Sequence, residues 1–309
     1  MTQQPSIAVI IPSYNEAAAI AKVVQDFRAA LPAARILVFD NNSTDGTFEL
    51  ARAAGAEVFP APIQGKGNVI RQAFAALDAD LYVLVDGDAT YDAAAAPRLV
   101  EALLSGGLDM VIAARRANAN AAYRPGHRLG NRLLTGLINS LFGGRIDDLL
   151  SGYRVFSRRF VKSFPALATG FETETELTVH ALALRMPLAE VATDYGARPD
   201  GSHSKLSTWR DGLRILVTAL KLFEKERPLI FFGVLTLLFA SASLLLALPI
   251  VAEFLTTGLV PRFPTAILAT GLMILAALSL SVGLIIDAIT HARRELRRLA
   301  YLAIPAPHP

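Results

Sequence analysis

Two stretches of 24 residues near the C-terminus constrain the fold most, because neither contains a charged side chain. They are residues 229–252 and 263–286, and each is long enough as a helix to cross about 30 Å of hydrocarbon. Basic residues flank the pair on its outer sides: Lys221, Lys225, Arg227, Arg293, Arg294, Arg297 and Arg298. The positive-inside rule therefore predicts a two-helix transmembrane hairpin with both ends in the cytoplasm.

The hairpin divides the chain into five predicted segments. Residues 1–206 form a cytoplasmic globular domain, and residues 207–228 form an amphipathic interfacial helix with a basic face. The other three segments are the two spans, at 229–252 and 263–286, and a basic cytoplasmic tail at 287–309. Small residues in both spans suit close packing, within the hairpin or in a homo-oligomer. Because the N-terminus lacks the pattern of a signal peptide, we expect the chain to begin in the cytoplasm and to reside in the cytoplasmic (inner) membrane.

In the globular domain, short apolar runs alternate with helical stretches. This alternation indicates an α/β fold with a mostly parallel, doubly wound, Rossmann-like sheet. Ligands bind such sheets beyond the carboxyl ends of the strands. Five polar residues fall directly after predicted strands: Asn15, Asp40, Asp45, Asp86 and Asp88.

The predicted strand at 81–85 ends in Asp86-Gly-Asp88, two carboxylates flanking a glycine. Their hard oxygen atoms suit Mg²⁺ or Mn²⁺, particularly when a phosphate completes the shell. Alone, the tripeptide is more typical of a solvated turn after a strand than of a metal site. An EF-hand is excluded, because Tyr91 and Pro97 stand where that loop needs glycine and glutamate.

Several other chemistries are excluded by what the sequence lacks. The chain has no cysteine, and its five histidines have no metal-ligand spacing. The GxxxxGK[ST], GxGxxG and GxSxG motifs of P-loops, dinucleotide sites and serine hydrolases are absent. The net charge is only +3, and residues 1–200 contain no basic block interleaved with aromatics, so we expect no nucleic-acid partner.

Six motifs occur in order along the chain: Pro12-Ser-Tyr-Asn-Glu16, Asp40-Asn-Asn-Ser-Thr-Asp-Gly-Thr47, Gly65-Lys-Gly67, Asp86-Gly-Asp88, Asp148-Leu-Leu-Ser-Gly-Tyr-Arg154 and Gly201-Ser-His-Ser-Lys-Leu206. With this set the chain resembles glycosyltransferase family 2, and within it the polyprenyl-phosphate branch that is similar to dolichyl-phosphate mannose synthase. The resemblance covers residues 5–228 and implies an A-type glycosyltransferase domain that uses a nucleotide sugar and Mg²⁺ or Mn²⁺.

The resemblance also implies roles for individual residues. It places the metal on Asp86 and Asp88, and catalysis on Asp88 and Asp148. Ten residues are implied to bind the nucleotide sugar: Pro12, Tyr14, Asn15, Glu16, Asp40, Asn41, Asp45, Lys66, Asp86 and Gly87. Four are implied to bind phosphate or the acceptor: Arg124, Arg198, Ser204 and Lys205. A solvated or membrane-facing charge is the alternative for the basic residues, and for Arg124 the choice stays open.

Two positions depart from the family pattern. Asn41 stands where a second aspartate is more common, and an amide offers the donor and acceptor that match uracil, whereas guanine suits a carboxylate. This departure slightly favours a UDP-sugar over GDP-mannose. Thr90 stands where relatives often carry a further metal ligand, so we expect water to complete the shell.

The acidic residues of the second half have different expected roles. The phosphate of a lipid acceptor is already anionic at neutral pH and needs no strong base, which favours Asp148 orienting substrates or stabilising positive charge on the sugar over Asp148 abstracting a proton. The choice between these roles stays open. Glu174 and Glu176 fall in the first turn of a predicted helix, where the dipole alone favours acids. We expect those two to be structural, and Glu172 to be the stronger site candidate.

These observations predict an inverting, metal-dependent hexosyltransferase that moves one sugar to polyprenyl phosphate, undecaprenyl or dolichyl, in glycan biosynthesis for the cell envelope. One alternative is a processive polysaccharide synthase. It is disfavoured because it usually has more spans and a Gln-x-x-Arg-Trp segment, whereas the single tryptophan, Trp209, lies in Ser-Thr-Trp-Arg. The second alternative is a catalytically inactive, membrane-tethered scaffold that binds nucleotides. The intact Asp86-Gly-Asp88 motif argues against it. The sugar, the lipid length and the oligomeric state stay open.

Overall fold

A computed structural model describes residues 5–117, 125–170, 172–197, 217, 220–221 and 223–307. The chain forms two compact units, the first comprising Met1–Ala219 and Arg297–Pro309 and the second comprising Leu220–Leu296. Most of the predicted interfacial helix, at 207–216, 218–219 and 222, lies outside the described residues.

The first unit contains a seven-stranded sheet with helices on both faces. Its strands are β1 (Ile7–Ser13), β2 (Arg35–Asp40), β3 (Glu57–Pro60), β4 (Leu81–Leu84), β5 (Met110–Ala117), β6 (Arg154–Ser157) and β7 (Leu188–Tyr195). Its helices are α1 (Ile20–Ala30), α2 (Thr47–Ala53), α3 (Lys66–Ala76), α4 (Ala96–Ser105), α5 (Pro125–Phe142), α6 (Arg158–Ser163) and α7 (Thr173–Ala183), with a 3₁₀ turn at Ala93–Ala95.

The strand order is β3-β2-β1-β4-β6-β5-β7, and every pair is parallel except those that involve β6. The predicted mostly parallel, doubly wound sheet is therefore confirmed. Because β6 is antiparallel, its first residue, Arg154, lies opposite Leu84 at the carboxyl end of β4. The motif that precedes β6 thus reaches the same edge of the sheet as the turns that follow the parallel strands.

Alternating strand residues fill two apolar cores, one on each face of the sheet. In β1, Ala8 and Ile10 face the core under α3 and α7, whereas Val9 and Ile11 face the core under α1 and α4. A strand buried on both faces explains the uninterrupted apolar runs in the sequence. The helices cover the two faces of the sheet, and polar turns occupy its carboxyl edge.

The second unit is a helical hairpin built from α8 (Pro228–Thr257) and the first part of α9 (Phe263–Leu302). Both helices are long and apolar enough to cross a membrane, and the predicted spans fall inside them. They pack together where the Ser243 hydroxyl donates to the Ala269 carbonyl at 2.7 Å. Nearer the other end, Gly283 lies against Phe232. These two contacts establish the antiparallel hairpin.

The last turns of α9 belong to the first unit. There the Tyr301 hydroxyl donates to Asp109 Oδ2 at 2.7 Å, and the Arg159 guanidinium lies 4.6 Å from the Tyr301 ring centroid. Asp109 is fully buried, and Arg159 also donates to both of its oxygens. The C-terminal segment is therefore hydrogen-bonded to the sheet domain.

Candidate active site

The turns after β1 and β2 are tied together by hydrogen bonds between side chains and backbone. Asn15, with a left-handed φ of 51°, accepts from the Thr44 N–H at 2.8 Å. The Glu16 N–H donates to Thr47 Oγ1, and Asp45 Oδ2 accepts from the Ala17 N–H. Three residues predicted to bind the nucleotide sugar, Asn15, Glu16 and Asp45, are thereby brought together at the carboxyl edge.

Asp40 and Asn41 follow β2 but differ in their surroundings. Asp40 Oδ2 accepts from the Ser43 N–H at 3.1 Å, while its buried Oδ1 has no hydrogen-bond partner among the described residues. The Asn41 amide donates to the carbonyls of Ala61 and Ile63 at 2.7 and 2.9 Å and accepts from the Gly65 N–H at 2.7 Å. With both amide hydrogens used, Asn41 braces the turn before α3, and its donor is not available to pair with uracil as the sequence argument assumed.

Lys66, the first residue of α3, forms a buried ion triad. Its ammonium donates to Asp86 Oδ1 and to Glu174 Oε1, both at 2.5 Å. Burial alone would lower the pKa of Lys66, but the Asp86 and Glu174 carboxylates outweigh burial and raise this pKa above its ordinary value. The lysine therefore stays charged and connects a predicted metal ligand to α7.

Of the three glutamates around α7, Glu174 departs from its expected structural role. Glu174 meets Lys66 in the site, and its Oε2 is buried without a hydrogen-bond partner among the described residues. Glu172 Oε1 accepts from the backbone N–H groups of Thr169 and Gly170, and its Oε2 is buried without a hydrogen-bond partner among the described residues. Glu176 is structural as expected, since its carboxylate accepts from two backbone N–H groups at 167 and 168.

Asp88 is held by Thr90, the residue that departs from the family pattern. Thr90 donates to Asp88 Oδ1 from its hydroxyl at 2.6 Å and from its N–H at 3.2 Å. Among the described residues, no group of three or more acidic or histidine side chains could enclose a metal ion. Two carboxylates with waters and a diphosphate are nevertheless a usual shell for Mg²⁺, so Asp86 and Asp88 fit that mode of binding.

The turn before β6 lies directly against Asp86. A Cβ added to Gly152 would lie 2.3 Å from Asp86 Oδ2, so this position requires glycine. The Gly152 N–H donates to the Tyr91 hydroxyl at 2.8 Å, which ties the turn to the segment after Asp88. Arg154 is fully buried and binds the same turn from inside, donating to the carbonyls of Leu149 and Ser151. This explains the glycine and the arginine of the motif.

Asp148, at the head of that motif, is paired with Arg115 near the end of β5. Arg115 Nε donates to Asp148 Oδ2 and a terminal nitrogen donates to Oδ1, both at 2.7 Å. The Arg115 N–H also donates to Oδ2, and its guanidinium lies 5.4 Å from the Tyr195 ring centroid. With both carboxylate oxygens engaged, the geometry suits a residue that orients substrates better than one that abstracts a proton.

The remaining predicted residues divide into two groups. The first group lies in or beside the turns after β1 and β4. Pro12 is in β1 opposite Phe39, and the Tyr14 side chain, just after β1, is 38% exposed. Gly87 lies close to β1, since a Cβ added to it would be 2.8 Å from Ser13 Oγ. The four residues predicted to bind phosphate or the acceptor lie outside the described residues: Arg124, Arg198, Ser204 and Lys205.

Three site residues escaped the sequence prediction: Arg115, Glu174 and Glu190. Arg115 lies near the carboxyl end of a parallel strand, a position where the rule for ligand sites would have singled it out. Glu174 was assigned to its helix dipole, and Glu190 lies within a strand. Glu174 contacts Lys66, which is 108 residues away along the chain, and Glu190 accepts from the Asp148 N–H, which is 42 residues away.

The sheet order and the acidic turns at its carboxyl edge define an A-type glycosyltransferase fold. The family described as Glycosyl transferase family 2 matches residues 8–164. Glycosyltransferase AglJ of Haloferax volcanii is 33% identical over 301 residues, which cover 96% of this chain and 97% of that protein. The chain therefore belongs to glycosyltransferase family 2, and the resemblance found in its motifs is confirmed.

Two further comparisons concern named activities. The dolichyl-phosphate hexose transferase of Haloferax volcanii is 28% identical over 222 residues, which cover 72% of this chain and 95% of that protein. The crystal structure of glucosyl-3-phosphoglycerate synthase from Mycobacterium tuberculosis, in complex with Mn²⁺, UDP-glucose and phosphoglyceric acid, aligns with a TM-score of 0.60 at 25% identity. That alignment covers 71% of this chain and 80% of the synthase.

Proposed function

We propose that the protein transfers one hexose from a UDP-sugar to polyprenyl phosphate, undecaprenyl or dolichyl, with inversion at the anomeric carbon. The observation that carries this proposal is the convergence of Asp40, Lys66, Asp86, Asp88 and Asp148 on one edge of the sheet in a chain of glycosyltransferase family 2. The likeness to a protein named dolichyl-phosphate hexose transferase supports the lipid acceptor.

The nucleotide would bind between the turns after β1 and β2. The buried, unpartnered Asp40 Oδ1 would accept an N–H of the base, which would satisfy a carboxylate oxygen that otherwise lacks a hydrogen bond. The exposed ring of Tyr14 would stack on the base. Since Asn41 gives no basis for choosing the base, the preference for UDP rests on the UDP-glucose complex of the mycobacterial neighbour.

Asp86 and Asp88 would hold Mg²⁺ or Mn²⁺ together with the diphosphate. Such an ion supplies charge stabilisation for the departing nucleotide diphosphate. Lys66 contributes a second positive charge beside Asp86, and Thr90 orients the Asp88 carboxylate. The Mn²⁺ in the neighbour's structure supports a divalent ion and leaves the choice between the two metals to experiment.

The acceptor phosphate is anionic and needs no strong base. Asp148, held by Arg115, would orient the reacting groups. We assign phosphate or acceptor binding to the residues predicted for it: Arg124, Arg198, Ser204 and Lys205.

The two apolar helices would place this site at the cytoplasmic face of the inner membrane, with both termini in the cytoplasm. Since the chain contains no cysteine, single cysteines can report topology. In intact cells, an impermeant maleimide should label Thr257→Cys, at the end of α8, and should label Ala303→Cys only after lysis. Labelling of both before lysis would contradict the topology.

The activity test uses the full chain in detergent with Mn²⁺ or Mg²⁺, polyprenyl phosphate and a panel of UDP- and GDP-sugars. We expect a lipid carrying a single sugar, with inverted anomeric configuration, that disappears with a chelator or in Asp86→Asn. Asp78→Asn, which changes an exposed aspartate on the surface, should retain full activity. A polymeric product would indicate a processive synthase, and nucleotide binding without turnover across the panel would contradict the proposed reaction.

A further inference from the structure

Glu190 connects β7 to the turn that carries Asp148. Its Oε2 accepts from the Asp147 N–H at 2.8 Å, and its Oε1 accepts from the Asp148 N–H at 3.0 Å. Both oxygens of one carboxylate therefore bind two successive backbone N–H groups. This geometry fixes the direction of the chain at Asp148.

The position of Glu190 in the sheet aligns this clamp with Arg115. Glu190 pairs with Ile112 in β5, and three residues further along both strands Arg115 pairs with Thr193. Asp148 is thus held at its backbone from β7 and at its carboxylate from β5. The two strands are hydrogen-bonded neighbours, so the distance between the two attachments is set by the sheet.

A charged carboxylate at position 190 is energetically unfavourable, because it is partly buried and lies near two other acids. Burial raises the pKa of Glu190, and the carboxylates of Asp147 and Asp148 raise it further, while the two backbone N–H groups oppose the shift. A neutral side chain could fill the same volume without placing a third acid beside two others. The cost is understandable if the carboxylate is needed to hold the turn.

We propose that Glu190 is a positioning residue that acts through Asp148, by clamping the Asp147 and Asp148 amides so that the Asp148 carboxylate meets Arg115 in the reactive orientation. This inference rests on the proposed function for its kinetic consequence. Its structural part, the clamp on two amides, can be measured without turnover.

The kinetic test compares Glu190→Gln with Asp194→Asn, which changes an exposed carboxylate on the same strand. The amide of Glu190→Gln accepts from one N–H but presents its own hydrogens to the other. We expect kcat to fall roughly 10- to 100-fold, with the KM for the nucleotide sugar nearly unchanged. Asp194→Asn should match the wild type. A fall in thermal stability with unchanged kcat would overturn the proposal in favour of a merely structural role.

A double-mutant cycle shows whether Glu190 acts through Asp148. Because the clamp acts by orienting that carboxylate, Glu190→Gln should lower kcat by less than about twofold when Asp148 is already replaced in Asp148→Asn. An equal loss in both backgrounds would mean that Glu190 acts independently of Asp148 and would overturn the proposal.

The second readout is hydrogen exchange of peptides that contain Asp147 and Asp148, measured by mass spectrometry on the full chain in detergent. Exchange at these two amides should be at least about tenfold faster in Glu190→Gln and unchanged in Asp194→Asn. Unchanged exchange in Glu190→Gln would overturn the clamp itself. If the wild type shows no glycosyl transfer, the proposed function fails while this comparison still decides whether the clamp exists.

Discussion

Gly152 and Asp86 form the closest approach between the turn before β6 and the turn after β4. The alpha carbon of Gly152 leaves no room for a side chain, because the nearest atoms belong to the Asp86 carboxylate. The carboxylate is itself held by Lys66, so it cannot move without breaking an ion pair. A single methyl group at position 152 therefore acts directly on a proposed metal ligand.

We expect Gly152→Ala to lower turnover at least about tenfold, since displacing a group in the site by a fraction of an ångström impairs its geometry. The measurement is the rate of sugar transfer as a function of Mn²⁺ concentration. Gly136→Ala is the control, because an added Cβ there has nothing within 4 Å. Gly136→Ala should retain activity, and a fully active Gly152→Ala enzyme would show that Asp86 can move freely.

Among the secondary-structure elements, α7 contains an ionisable group on its apolar side. His180 is buried against Phe160 and Phe164, and its ring contacts Ser163 Oγ at 3.2 Å. Burial, reinforced by the positive charge of Arg297, lowers the pKa of His180 to about 3. The folded protein therefore keeps this ring neutral at pH values where the unfolded chain would protonate it.

This difference predicts a loss of stability on acidification. Between the unfolded pKa of about 6.5 and the folded pKa of about 3, the unfolded state binds the additional proton, so the free energy of unfolding falls by up to about 1.4 kcal/mol per pH unit. In His180→Gln the thermal midpoint should fall less between pH 7.5 and pH 5 than in the wild type. His291→Gln, at an exposed position, should keep the wild-type dependence. Equal dependence in all three proteins would contradict the assignment.

The helical hairpin depends on the contact between Gly283 and Phe232. A Cβ at Gly283 would lie 2.8 Å from the Phe232 Cβ, whereas a Cβ at Gly271 meets nothing within 4 Å. Gly283→Leu should therefore lower the thermal midpoint in detergent, with a cost of about 1–3 kcal/mol for overpacking. Gly271→Leu, in the same helix, should have little effect. Equal midpoints for the two variants would argue against the hairpin packing.

At the scale of the whole molecule, the chain returns to its first unit after the hairpin. Tyr301 joins a buried network in which Asp109 also accepts from Arg159 and from the Ser157 hydroxyl. The segment predicted as a basic tail is helical through Leu302, and from Arg297 onward it belongs to the unit that contains the site. We therefore expect the C-terminus to contribute to the stability of the sheet domain.

Tyr301→Phe removes the hydroxyl that donates to Asp109. We expect a loss of about 1.5–3 kcal/mol in the free energy of unfolding, typical of a hydrogen bond to a charged group, and a lower thermal midpoint with unchanged KM for the nucleotide sugar. Leu302→Ala changes the exposed neighbour and should leave the midpoint near that of the wild type. A Tyr301→Phe protein as stable as the wild type would show that the contact contributes nothing.

Much of the fold could be predicted because its signals are local. The apolar runs of β1, β2 and β4 and the polar turns that follow them mark a parallel sheet and its binding edge. The uncharged stretches mark two long helices by length and composition alone. The order of the six motifs identified the family, which the comparisons confirm.

The tertiary structure decided which polar groups meet. The motif headed by Asp148 reaches the site because β6 enters the sheet antiparallel, a pairing that residues 154–157 do not encode locally. Asn41 is hydrogen-bonded to the turn before α3, and Glu174 forms an ion pair with Lys66, which is 108 residues away along the chain. Periodicity and turn chemistry report on neighbours within a few residues. Hydrogen bonds between distant carboxylates, amides and ammonium groups are set by strand order and burial, and these arise only when the whole sheet has formed.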